Sequence, residues 1–113
     1  MLILQKKLDR DGLKLLAGHY FTDMIKGVVD IEKGLLALDA ELHADLEEML
    51  LECGSEQNAL WGINLYPEFT GEDFVEFDSL INIRPKQNNR TRGVEDAAIR
   101  DRILLIVEKW VAL

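Results

Sequence analysis

Val28-Val29-Asp30-Ile31-Glu32-Lys33-Gly34-Leu35-Leu36-Ala37-Leu38-Asp39-Ala40-Glu41 is two alternating runs hinged at Lys33-Gly34. Apolar side chains at 29 and 31 alternate with acids at 30 and 32, and those at 36 and 38 alternate towards Asp39 and Glu41. A break of this kind needs glycine for a positive φ, and two half-apolar runs joined by so tight a turn form a β-hairpin. The hairpin commits the fold to an antiparallel sheet.

The flanks fit around it. Trp61-Gly62-Ile63-Asn64-Leu65-Tyr66 alternates cleanly and stops at Pro67, and Val75-Glu76-Phe77-Asp78-Ser79-Leu80-Ile81-Asn82-Ile83-Arg84 alternates up to Pro85. With Gly71, Glu72 and Asp73 as a polar turn between them, they predict a second hairpin. Leu2 to Gln5 reads as a short strand. Asp9 can cap a helix over about residues 10–20 with Leu13, Leu16 and Tyr20 inward, though Gly12 and Gly18 weaken it. Residues 43–53 carry apolar side chains at 46, 49, 50 and 53 before Gly54, which makes an amphipathic helix with a glycine stop. A last helix runs from about Val94 to Val111, with Ile99, Ile103, Ile106, Val107 and Trp110 on one face and Asp96 or Thr91 at its start.

The order is β-α-β-β-α-β-β-α. It predicts an α+β fold: a four- or five-stranded, mainly antiparallel sheet with three helices chiefly on one face. Val29, Ile31, Ile63, Leu65, Phe77, Ile81, Ile83, Ile103, Val107 and Trp110 are the expected core. The 113 residues fit one domain, 1–113, with no linker, and a chain of this length buries roughly 65% of its unfolded surface.

Lys and Arg number 13 against 21 Asp and Glu, a net charge of −8. That balance argues against sequence-independent nucleic-acid binding and against docking to an anionic membrane. No run approaches membrane-span length, and Met1 to Lys7 is too short an apolar stretch for a signal peptide, so a cytoplasmic protein is expected. Cys53 is the only cysteine and reads as a small buried apolar residue.

Period-2 bookkeeping puts Asp30, Glu32, Asp39, Glu41, Glu76 and Asp78 on the sheet face opposite the helices, with Asn64, Asn82 and Arg84. A solvated outer face is the ordinary reading. The sharper one lines a cleft with these groups, but Glu76 and Asp78, about 7 Å apart on one strand, cannot chelate an ion alone. No metal or cofactor is expected.

His19 reads as a helix-end cation or a hydrogen-bonded packing residue. His43 lies at a strand-to-helix junction between Glu41 and Asp45, where functional groups often sit. There is no phosphate-binding glycine loop, dinucleotide fingerprint, zinc helix or nucleophile elbow.

Four stretches resemble a small prokaryotic family of uncharacterised proteins: Val28 to Gly34, Glu41 to Asp45, Leu60 to Pro67 and Phe77 to Pro85. Asn89 to Asp96 extends the likeness into the last helix. The resemblance covers nearly the whole chain and implies no activity, cofactor or catalytic residue.

One local feature runs against the composition. Arg84-Pro85-Lys86-Gln87-Asn88-Asn89-Arg90-Thr91-Arg92 carries four positive charges and no acid, leaving the other 104 residues at a net −12. Arginines hold carboxylate or phosphate bidentately, and the amides and dipole of a following helix add to them. The leading expectation is therefore a binding or interaction domain capturing an anionic group on Arg84, Asn88, Asn89, Arg90, Thr91, Arg92 and Gly93. In a competing reading these arginines only pair with the chain's own carboxylates. The enzyme alternative is a small hydrolase or transferase acting on a phosphorylated substrate. Arg84, Arg90 or Arg92 would bind it while His43, Glu41 or Asp78 transfers a proton. It requires the 41–45 junction to meet the 84–93 loop. A third reading is a structural homodimer joined through Leu35 to Leu38. The partner in the leading case is a small anionic ligand or another protein.

Overall fold

A computed structural model describes residues 1–112. In chain order the elements are β1 (Leu2–Ile3), β2 (Leu8–Asp9), α1 (Arg10–Ala17), β3 (Ile25–Asp30), β4 (Leu35–Leu38), α2 (His43–Glu52), β5 (Leu60–Leu65), β6 (Val75–Glu76), α3 (Ala97–Trp110) and β7 (Val111–Ala112). Five strands form one sheet in the order β1-β4-β3-β5-β6, with every neighbouring pair antiparallel. β2 and β7 add a small parallel pair. The fold is α+β, as the alternation predicts.

The opening hairpin is the centre of the sheet. β3 pairs with β4 from Gly27↔Leu38 to Asp30↔Leu35, and Gly34 takes φ 69° in the turn. Asp30 is buried and holds that turn: its Oδ1 accepts from the amides of Glu32 at 2.9 Å and Lys33 at 2.8 Å. Its Oδ2 accepts from the Ser55 hydroxyl at 2.6 Å, which ties the turn to the segment after α2. On its other side β3 pairs with β5 over six residues, Ile25↔Leu65 to Asp30↔Leu60.

Both faces of the sheet are covered. Val29, Leu36, Leu38, Trp61, Ile63 and Leu65 face α1 and α3, packing on Leu13, Ala17, Ile103 and Val107. Val28, Ala37 and Leu60 face the other way and pack on Leu46 and Leu50 of α2. Two of the three helices thus share a face. The third occupies the face read above as an outer acidic surface, and Asp30 is buried there, whereas Asp39, with φ 77°, pairs with His19 beyond the end of α1 at 2.6 Å. The reading missed it because Val28, Ala37 and Leu60 make a second apolar strip of only three residues. Leu36, Ala37 and Leu38 are fully buried within the chain, so they supply its core.

Side-chain caps start α1 and α3 where the sequence places them. Asp9 accepts from the Gly12 amide and Asp96 from the Ala98 amide, each at 2.8 Å. α1 ends at Ala17 rather than near residue 20, with Gly18 at its C-cap, and this leaves Tyr20 exposed. Cys53 caps α2 and is exposed, not buried.

The largest departure is at 75–84. The strand stops after Glu76, and Leu80–Asn82 turns as a 3-10 helix. Ser79 drives the turn: its hydroxyl accepts from the Ile81 amide at 3.3 Å, a local bond that competes with strand pairing. The alternation then no longer maps onto two faces, and Leu80 and Ile83, apolar as they are, are exposed. Gly62 lets this segment lie directly on the sheet. A Cβ there would stand 2.5 Å from the Ser79 Cβ.

Candidate functional site

Three buried asparagines sew residues 76–95 to the sheet. Asn82 is fully buried; its Oδ1 accepts from the Gly62 amide at 2.8 Å and its Nδ2 donates to the Gly62 carbonyl at 2.9 Å. This is the exchange a neighbouring strand would make, supplied by a side chain. Nδ2 also donates to the Arg92 carbonyl at 3.0 Å. Asn89 donates to the carbonyls of Asn82 at 2.7 Å and Gly93 at 2.8 Å, and accepts from the Glu95 amide at 2.9 Å. Asn64 donates to the Asp78 carbonyl at 3.2 Å.

The basic loop is arranged by the same bonds. Arg84 lies over the Trp61 ring at 4.2 Å and donates to the carbonyls of Gln57 and Leu60. Arg92 pairs with Asp78, Nε to Oδ1 at 2.7 Å. Arg90 is exposed, and Asn88 takes a left-handed conformation, φ 59°. The guanidinium groups of Arg84 and Arg92 therefore engage different partners. The amides of Arg90 and Thr91 both donate to Glu95 Oε2, and the Gly93 amide donates to the Thr91 hydroxyl at 3.2 Å. The loop thus already cradles an anion, the carboxylate of its own Glu95. An external anion at these amides competes with a tethered one, whose effective concentration is high.

A second place brings the candidate residues together. A groove of about 560 Å³ opens between the start of α2, the ends of β3 and β5, and the segment after β6. His43, Asp78 and Arg92 all line it, so the 41–45 junction does meet the basic loop. Glu41, Arg84, Asn88, Asn89, Arg90, Thr91 and Gly93 do not line it. Its floor is a cross-strand row, Lys26↔Asn64 on β3 and β5 and Asn64↔Glu76 on β5 and β6. Phe21, Leu42 and Leu80 add apolar walls. The sequence pattern had put Asn64, Glu76 and Asp78 on one face. Lys26 was missed because β3 begins at Ile25, three residues ahead of its alternating run.

Opposite charges meet in this groove. Lys26 makes no ion pair among the described residues; its ammonium lies 5.3 Å from the Phe21 ring centre. α2 begins without a side-chain cap hydrogen bond, since Leu42 stands at the N-cap, and Asp45 in its first turn is the acid nearest the positive end of its dipole. At the other end Glu76 Oε1 accepts from the Tyr66 hydroxyl at 2.9 Å and from Asn64 Nδ2 at 2.8 Å. Desolvation, with Glu76 alongside, pushes the Tyr66 phenol up to about 12, so it stays a donor. Among the described residues no three His, Cys, Asp or Glu side chains come together as a metal-ligand set.

His43 is buried and donates from Nε2 to the Ile63 carbonyl at 2.8 Å. Burial lowers its pKa below the ordinary value; Lys26 acts in the same sense, and the bond to Ile63 opposes it. The folded chain therefore binds fewer protons than the unfolded chain as pH falls through about 6.5, the unfolded histidine value. Stability rises with pH wherever the unfolded state holds more protons, so this contribution is present above that value and is lost on acidification. His43→Gln should flatten the pH dependence of the melting temperature below about pH 6.5. Identical profiles for the two proteins would show that His43 does not titrate differently on folding.

Neither a curated protein nor a solved structure matches the chain. A family model does, over residues 2–110, and its description is a protein of unknown function. The likeness noted in the β3 turn, β5 and the basic loop lies within that match, and the chain belongs to the family DUF5674.

Proposed function

We propose that the chain is a binding domain that takes a small ligand through its anionic group, and that the groove beside α2 is where it binds. One observation carries the reading: the uncapped start of α2, the unpaired Lys26 and the guanidinium of Arg92 all border the same groove. Helix amides and lysine together suit a phosphate or carboxylate. Arg92 is then the contribution of the basic loop, while Arg84, Asn89 and Glu95 hold that loop in shape.

Thermal unfolding tests this directly. Phosphate should raise the melting temperature more than chloride at equal ionic strength, because a ligand bound only to the native state shifts the unfolding equilibrium. At a hundredfold excess over its dissociation constant the gain is about 2.7 kcal/mol. Lys26→Ala should remove the phosphate-specific increment, Arg92→Ala should reduce it, and Arg90→Ala should leave it intact. Phosphate acting no differently from chloride would sink the reading.

A second reading, a small hydrolase or transferase acting on a phosphorylated substrate, is favoured by His43. In its neutral ring Nε2 carries the proton given to Ile63, which leaves Nδ1 as the basic nitrogen of a residue that lines the groove. Slow phosphate release from p-nitrophenyl phosphate, abolished in His43→Gln, would support catalysis over simple binding.

A further inference from the structure

We infer that the ligand of this groove is a zwitterion, with an ammonium or similar cationic nitrogen close to its anionic group. The inference rests on the binding reading above and adds the ligand class. Across the floor, Lys26, Asn64 and Glu76 stand in register on three neighbouring strands. The two charged residues are therefore about 10 Å apart at the backbone, two strand spacings, with Asn64 between them. The groove is positive at the end with Lys26 and the start of α2, and negative where Glu76 stands, the Asp78 carboxylate being paired with Arg92.

A plain anion answers only half of this arrangement. It satisfies the helix amides and Lys26 but leaves the negative end unanswered. Glu76 receives both of its hydrogen bonds on Oε1, and Oε2 accepts none among the described residues. Asn64, only 4% exposed, spends its Nδ2 on Glu76 and the Asp78 carbonyl and so holds the Glu76 carboxylate at the floor, while its Oδ1 is closed to solvent with the His43 side chain beside it. A simple anion would also lie near the Glu76 carboxylate and be repelled by it. A cationic nitrogen beside Glu76 resolves both problems, since it donates to Oε2 and neutralises the carboxylate.

Calorimetric titration with matched probes decides the matter. Phosphoethanolamine is compared with ethyl phosphate, and β-alanine with propionate; each pair shares an anionic group and differs in the ammonium. The amine member of each pair should bind at least about tenfold tighter, through a charge-assisted hydrogen bond. Glu76→Gln keeps an oxygen to accept from Tyr66 and Asn64 but removes the charge. It should erase the preference, with ethyl phosphate bound no more weakly than before because its repulsion by Glu76 is gone. Lys26→Ala should weaken both members of each pair. Equal affinities within the pairs for the unmodified protein would overturn the zwitterion while leaving the anion reading intact. So would a preference that survives Glu76→Gln in a folded variant. No binding of any of the four probes would overturn both. Should Glu76→Gln fail to fold, the comparison within pairs on the unmodified protein still decides.

Discussion

Asn82→Ala should lower the unfolding free energy by about 3–5 kcal/mol, since buried backbone groups left without partners cost roughly 1–3 kcal/mol each. Three such groups lose their partner at once: the amide and carbonyl of Gly62 and the carbonyl of Arg92. The side chain is fully buried, so water cannot easily replace it without opening the segment. Asn82→Asp should also be destabilising, because it keeps the acceptor but sets an oxygen against two carbonyls. Urea denaturation measures both. A loss below about 1 kcal/mol for the alanine variant would mean that the segment is held by other contacts.

Trp61→Ala should cost about 3–5 kcal/mol, the range for removing a large aromatic from a packed core. Trp61 is 1% exposed and packs with Val29, Leu36 and Ile63 in the cluster under α1 and α3. Its loss carries a second consequence, because the Arg84 guanidinium lies over the ring. That contact contributes about 0.5–2 kcal/mol by itself. Hydrogen exchange should therefore quicken at the Arg84 and Asn89 amides, which bond across the loop to each other's carbonyls. Trp61→Phe should recover most of the stability, since the indole Nε1 is buried without a partner and its removal costs no hydrogen bond. Unchanged exchange in Trp61→Ala would show that the arginine is held by the carbonyls of Gln57 and Leu60 alone.

What could be read beforehand followed from regular periods. The hinge at Gly34, the alternation of 61–65 and the capping aspartates at 9 and 96 are local signals, and each element stands where its signal lies. The 75–84 run was legible only as alternation, and Ser79 and Asn82 reversed it. Their side chains form bonds that a strand would otherwise make with its backbone, and period-2 bookkeeping counts them merely as polar. The site was legible in part for the same reason. Asn64, Glu76 and Asp78 share a face in the register that the alternation implied, and His43 stood out at its junction. Whether the loop arginines point at a ligand, a carboxylate or a carbonyl is set by tertiary contact. Arg84 took carbonyls, Arg92 took Asp78, and neither choice has a local signature.

The pairing of β5 also bears on how these molecules behave in a crowded solution. Along its outer side the strand offers groups at residues 60, 62 and 64. Arg84 occupies the carbonyl at 60, Asn82 both groups at 62, and β6 pairs at 64. An unsealed strand margin is a template on which another chain can zip. Here side chains close the margin where the neighbouring strand has run out, so the closure depends on two residues rather than on a ladder. A variant that loses either one would expose a stretch rich in Leu, Trp and Ile to its neighbours. Its first symptom would be concentration-dependent clumping at temperatures where the molecule is still mostly folded.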